Sequence, residues 1–145
     1  EAAHAVFPPG GITRTTTCDL QAPNWTDTGM ASWTVMILPF LEQQARYDRY
    51  DLAGSFAPTH RITGADNYDQ QFEPNPTFEC PSDPRSGRRW PLNNYFACQG
   101  GGQTADCFAG SDPGRKIFHN GMFFANESIG FLHLKDGSSH TVMVG

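Results

Sequence analysis

Ser32-Trp33-Thr34-Val35-Met36-Ile37-Leu38-Pro39-Phe40-Leu41-Glu42-Gln43-Gln44-Ala45-Arg46-Tyr47-Asp48-Arg49-Tyr50 is the longest apolar block in the chain, and it runs into a charged, aromatic tail. Val35, Leu38 and Leu41 recur at i, i+3 and i+6. Phe40 and Ile37 broaden that face, and Tyr47 and Tyr50 extend it. Ser32 is placed to cap a helix starting at Trp33. Pro39 has no backbone N–H to donate and disfavours helix at Leu38. The spacing therefore predicts a short helical turn over Trp33–Leu38, then a helix restarting with Pro39 at its first position and running to about Tyr50. The rest of the chain is short, polar or turn-rich and is expected to pack on this element.

The chain has 145 residues, enough for one domain that buries roughly 70% of its unfolded surface. Its 38% hydrophobic content is low, and 15 Gly and 11 Pro favour loops over regular elements. A net charge of −5, with a basic run only at Arg85–Arg89, argues against nucleic acid as a partner. No apolar segment reaches membrane-spanning length. Both ends read as cut: Glu1–Phe7 resembles the last turn of a helix, and Val142–Gly145 stops in mid-strand. The 145 residues are expected to be a portion of a longer precursor.

Four cysteines stand at Cys18, Cys80, Cys98 and Cys107, with no C-x-x-C pair to suggest structural zinc. An even count in a loop-rich chain favours two disulfides and an exported protein. Three pairings are open. The Gly-rich octet between Cys98 and Cys107 suits a local staple, which leaves Cys18 with Cys80; loop entropy would give the long bridge about 4 kcal/mol and the short one about 3 kcal/mol. Four reduced thiols in a cytosolic protein is the alternative.

Outward from the central stretch, Phe7-Pro8-Pro9-Gly10-Gly11 is a rigid break followed by a turn. The β-branched run Ile12–Cys18 predicts an edge strand. Asn24-Trp25-Thr26 and Asn126-Glu127-Ser128 make Asn24 and Asn126 glycosylation candidates. Asp51–Pro76 has no periodic pattern and reads as a long loop. Thr77–Cys80 and Asn93–Cys98 read as short strands, as does Gly121–Phe124. Gly100-Gly101-Gly102 reads as a turn, since no Lys-Ser/Thr follows to make a phosphate loop. Asp136-Gly137 between the apolar runs Ile129–Leu134 and His140–Val144 is a hairpin or tight-turn signal.

The motifs in order are Phe7-Pro8-Pro9-Gly10, Ser32-Trp33 with Leu38-Pro39-Phe40-Leu41-Glu42-Gln43, Cys80-Pro81-Ser82-Asp83-Pro84, Asn94-Tyr95 and Asp136-Gly137-Ser138-Ser139-His140-Thr141-Val142-Met143-Val144-Gly145. This order resembles the prepilin-like proteins of planctomycetes known as domain of unknown function 1559. The resemblance touches nearly the whole chain. It implies an exported protein with a pilin-type N-terminal helix and a globular head, and the chain as given departs from the family pattern at both ends. The expected fold class is α+β: a single pilin-like head over residues 1–145, one main helix packed on a small antiparallel sheet, loop-rich and disulfide-stapled.

The resemblance brings no catalytic residues with it. The histidines at 4, 60, 119, 133 and 140 show no H-E-x-x-H spacing, and no G-x-S-x-G elbow occurs. His133, alternating with Leu132 and Leu134, is expected to face solvent or a local partner. Ala97-Cys98-Gln99-Gly100 only faintly resembles cysteine-protease surroundings. The chain therefore reads as a non-enzyme with no cofactor. Calcium is a more reasonable proposition than catalysis, with Asp66, Asp69 and Asp112 in Gly/Pro-rich loops as weak candidates, but no D-x-D-x-D-G loop is present and plain solvated carboxylates are the favoured alternative. Trp25, Trp90 and Tyr68 suit sugar stacking or interface roles. The functional expectation is a structural, extracellular, cell-surface subunit that assembles with copies of itself into a filament. A monomeric binding module for glycan or peptide is the alternative.

Overall fold

The computed structural model describes residues 6–12, 31–54, 56, 67–88, 92–102, 107–108, 116–135 and 137–145, with residues 107–108 and 116–117 described in backbone only. The expected strand over residues 13–18, Asn24, Cys18, Trp25, Trp90, Asp66 and Asp112 lie outside these residues.

Short elements surround the central stretch. Strands β1 (Gly11–Ile12) and β2 (Ala31–Ser32) pair antiparallel, with Gly11 opposite Ser32 and Ile12 opposite Ala31. Helix α1 (Trp33–Met36) follows directly, with Ser32 at its N-cap position as expected. The Ser32 hydroxyl makes no cap bond; it shares a hydrogen bond of 2.6 Å with Thr34 Oγ1 instead. A 3₁₀ turn spans Leu38–Leu41 with Pro39 in its first turn, so the break at proline falls where the sequence places it. The helix beyond it does not run on to Tyr50. Glu42 adopts the left-handed conformation at φ 59°, and only a second short helix, α2 (Gln44–Tyr47), follows. The Gln43 N–H reaches back to the Leu38 carbonyl at 3.0 Å. Such a bond closes a helix end at which glycine is the usual left-handed residue. Glu42→Gly is therefore expected to raise stability by about 0.5–1 kcal/mol, read as a higher urea midpoint.

The segmentation decides which side chains are buried. Ala31, Val35, Leu38, Phe56 and Phe78 form the core, and Trp33, Met36, Ile37, Tyr47, Tyr50 and Leu52 pack against it. The stretch Ser32–Tyr50 thus supplies Val35 and Leu38 to the core and most of the residues packed against it, with both tyrosines on the expected side. Phe40 does not join them: the change to 3₁₀ winding at Pro39 turns it outward, 67% exposed, and Leu41 lies at the surface beside it. Trp33 meets Phe78 edge-on at 6.0 Å and Phe123 at 5.7 Å. Tyr50 stacks on Phe56 at 5.7 Å. Edge-on and stacked ring pairs of this kind add to the free energy of simple burial.

Within the stretch expected to be one long loop, the structure adds helix α3 (Asn67–Gln71). Asn67, 1% exposed, anchors it by accepting from the Asp51 N–H at 2.9 Å and donating to the Asp51 carbonyl at 2.7 Å.

Several expected strands resolve into isolated bridges. Val6 bridges Gly130, and the Phe7 N–H donates to the Ile129 carbonyl at 2.7 Å, so Val6 and Phe7 are extended rather than a helical end. Gly10 lies so close to Phe123 that a Cβ there would sit 2.7 Å from its backbone carbon, which explains glycine at this turn. Ala97 bridges Val144, with two backbone bonds between Phe96 and Gly145. Val144 therefore pairs with Ala97 and not across a hairpin with Ile129–Leu134. In place of the hairpin, 3₁₀ turns cover Phe131–His133 and Ser138–His140, joined by a tight turn with Gly137 at φ 81°. Strands β3 (Cys107–Phe108) and β4 (Lys116–Ile117) form a second two-stranded antiparallel sheet. The described residues form a small mixed fold of short helices and two-stranded sheets, and among them no single main helix stands out. No helix among the described residues is long and apolar enough to cross a membrane.

The disulfide staple is a further correction. Cys80 and Cys98 are free thiols, and each of the expected pairings, Cys18–Cys80 and Cys98–Cys107, contains one of them. Hydrogen bonds hold both positions instead. The Cys80 N–H is taken by Asn94 Oδ1 at 2.7 Å. The Cys98 N–H donates to Met143, while the Cys98 carbonyl receives the Met122 and Phe123 N–H groups.

Candidate functional site

The segment Glu73–Phe78 is fastened along α2 by polar side chains. The Gln43 and Asn75 amides bond reciprocally, Gln43 Nε2 to Asn75 Oδ1 at 3.4 Å and Asn75 Nδ2 to Gln43 Oε1 at 3.0 Å. Gln43 also donates to Thr77 Oγ1 at 2.9 Å. The Arg46 guanidinium donates to the Pro74 carbonyl at 2.9 Å and to the Glu73 carbonyl. Arg49 pairs with the Glu73 carboxylate at the surface.

This arrangement walls a cleft of about 190 Å³. Its apolar floor is Val35, Leu38, Phe78 and Leu92. Polar groups ring it: Ser32 at the end of β2 and Thr34 in α1, Arg46 and Tyr50 from α2 and just beyond it, Gln71 from α3, and Glu73, Asn75 and Asn93 from the irregular segments. Burial holds the Tyr50 hydroxyl above its ordinary pKa, against an opposing pull from Arg46, and the hydroxyl donates to the Gln70 carbonyl at 3.3 Å.

Beside the cleft lies a knot that the sequence reading missed. Thr77–Cys80 was expected as a strand, and it is a series of turns, opening with the Phe78 N–H on the Asn75 carbonyl at 2.9 Å. The turns place Glu79 inside, 4% exposed. Its carboxylate accepts from the Asn75 N–H at 2.7 Å, the Gly87 N–H at 2.7 Å and the Ser86 hydroxyl at 3.0 Å. The Gly87 N–H does most to hold this carboxyl below its ordinary pKa; Asn75, Ser86 and the Arg46 charge add to it against the opposing effect of burial.

The turn Cys80–Pro84 is closed from a distance by Asn94. Asn94 takes the Cys80 N–H through Oδ1, donates to Asp83 Oδ2 at 3.1 Å, and sends its own N–H to the Phe78 carbonyl at 2.9 Å. Asp83 also receives the Arg85 guanidinium and N–H, and these bonds hold its carboxyl well below the usual carboxylate range. Two sequence motifs with nine residues between them are thus one structural unit. The available signal was chemical: an acidic side chain between Phe78 and Cys80, followed by Pro81, Pro84 and Gly87, in a turn-rich segment whose backbone N–H groups have no helix or strand ladder to pair in.

The other candidates are dispersed. Asp69 lies in the first turn of α3, while Asn67, two residues before it, is occupied with the Asp51 backbone. Among the described residues no group of three His, Cys, Asp or Glu side chains is placed to hold a metal. Asn126 is exposed and left-handed at φ 62°, within the turn that brings Phe124 opposite Glu127. His133 has a local partner, accepting the Gly130 N–H on Nδ1 at 3.1 Å, and His119 meets Phe124 edge-on at 5.6 Å. Tyr68 packs against Phe72 at 4.7 Å. The glycine triplet is irregular, held by Asn120, which accepts the Gly101 N–H at 3.0 Å and donates to the Gly101 carbonyl at 2.9 Å.

The fold and its cleft define a small mixed helix-and-strand protein whose regular elements are short and whose loops are tied by polar side chains. The chain belongs to the family described as protein of unknown function (DUF1559), whose model matches residues 1–145. No curated protein and no solved structure matches the chain.

Proposed function

We propose that the chain is a structural subunit of an extracellular, pilin-like surface assembly, joined to copies of itself. The observation that carries this reading is apolar surface left uncovered at one corner. Leu132 is fully exposed and Phe131 is 65% exposed, and Val6, 48% exposed, makes an isolated bridge to Gly130 next to them. Phe7 packs edge-on against Phe131 at 4.8 Å, so the patch rests on ordered backbone. Contiguous exposed apolar residues of this kind mark contact surfaces rather than ordinary protein exterior. The resemblance to prepilin-like proteins supports a second copy as the partner.

Light scattering after size exclusion, with negative-stain microscopy, tests this reading. Oligomers or ordered polymers are expected, and Leu132→Asp should shift them to monomer without lowering the melting temperature. A monomer at every concentration tested would overturn the reading.

A further inference from the structure

We propose that the cleft between α1, α2 and the Glu73–Phe78 segment binds a single ring of a neutral sugar. An engineered cavity of about 150 Å³ accommodates a benzene ring, so about 190 Å³ suits one ring with its substituents. The wall chemistry matches a hydroxyl-rich ligand. Asn93 spends Oδ1 on the Tyr95 N–H at 3.0 Å, which leaves its NH₂ to donate. Gln71 spends Nε2 on the Phe56 carbonyl at 2.9 Å, which leaves its oxygen to accept. The Ser32–Thr34 hydroxyl pair keeps one donor beyond its mutual bond. Arg46 uses two of its five N–H groups on carbonyls. These donors and acceptors stand around the apolar floor of Leu38, Phe78 and Leu92, and a sugar ring likewise carries polar edges and apolar C–H faces. The charges favour a neutral ligand. Arg46 and Glu73 bring opposite charges to the wall, and the Glu73 carboxylate is also paired with Arg49, so neither sign is left dominant.

The test is titration of the ¹⁵N-labelled chain with maltotriose, mannotriose and chitotriose, with the tripeptide Ala-Asn-Ala as a separate arm. At least one sugar is expected to shift the resonances of Thr34, Gln71 and Asn93 saturably. Asn93→Leu and the near-isosteric Thr34→Val should each weaken that sugar about tenfold, the cost of one lost hydrogen bond. Thr34→Val keeps the side-chain shape, so its effect stands even where Asn93→Leu perturbs folding. Absence of any sugar shift, shifts outside the cleft, unchanged affinity in Thr34→Val, or saturable binding of the tripeptide alone would each overturn the proposal. None of these outcomes bears on self-association, which rests on the separate corner at Leu132.

Discussion

Glu79→Ala is expected to destabilise the protein by about 3 kcal/mol at neutral pH, and Glu79→Gln by nearly as much, because buried donors that lose their acceptor cost about 1–3 kcal/mol each. Alanine leaves the Asn75 and Gly87 N–H groups and the Ser86 hydroxyl without the oxygens they now reach. Glutamine keeps the shape, but its NH₂ must face donors at one of the two positions where the carboxylate offers oxygen. A loss of this size corresponds to a melting temperature lower by about 10 °C. The pH dependence follows from the direction of the shift. The folded carboxyl lies below its ordinary value of 4.5, so its contribution is fully present above the unfolded pKa and is lost as pH falls through the folded one. Wild type and Glu79→Gln should therefore differ widely in urea midpoint at pH 7 and converge as the solution is acidified below about pH 4.5. Asp83, also held low, titrates in both proteins and cancels from the comparison.

The second large effect separates two neighbours in sequence. Leu38→Ala is expected to cost about 3 kcal/mol and Phe40→Ala less than about 0.5 kcal/mol, although phenylalanine is the larger side chain. Leu38 is 2% exposed among Val35, Phe56 and Phe78, and truncating it opens a cavity under the wall of the cleft. Phe40, two positions on, lies across the 3₁₀ turn and faces solvent. Equal losses in the two variants would mean that the segment winds as a regular helix with a broad apolar face.

Much of this was legible in the residues. The organising role of Ser32–Tyr50 followed from apolar spacing, the break from the missing N–H of Pro39, and the inward side of Tyr47 and Tyr50 from their continuation of that spacing. The turn at Gly137 followed from Asp-Gly chemistry. What could not be read was set by tertiary partners. Glu42 takes a left-handed conformation without the Gly or Asn that would announce it, so the apolar spacing alone carries the helix past it. The alternation Thr77-Phe78-Glu79-Cys80 looks like a strand with Glu79 outward; the fold turns that residue inward because three nearby donors converge on its carboxylate. The hairpin expected around Asp136-Gly137 gave way because Val144 finds its pairing partner in Ala97, more than forty residues earlier. Cysteine arithmetic suggested a stapled domain, but Asn94 and Glu79 tie the loops around Cys80.

The same division holds for the candidate site. Trp25, Trp90 and Tyr68 were the aromatic residues considered for sugar contact; Tyr68 is engaged with Phe72, and the two tryptophans fall outside the described residues. The cleft is built instead from Thr34, Arg46, Gln71 and Asn93, ordinary polar residues that no local pattern marks. They come together only because the Arg46 and Gln43 side chains seat the Glu73–Thr77 segment against α2.

A buried, charged Glu79 is the feature on which the loop architecture depends, and its own titration tests it most directly. Carboxyl ¹³C NMR of Glu79 across pH 2–7 is predicted to show a midpoint below the ordinary 4.5, with the Asn75 and Gly87 amide resonances moving at the same pH. A midpoint at or above 4.5, or amides that do not follow it, would contradict the knot.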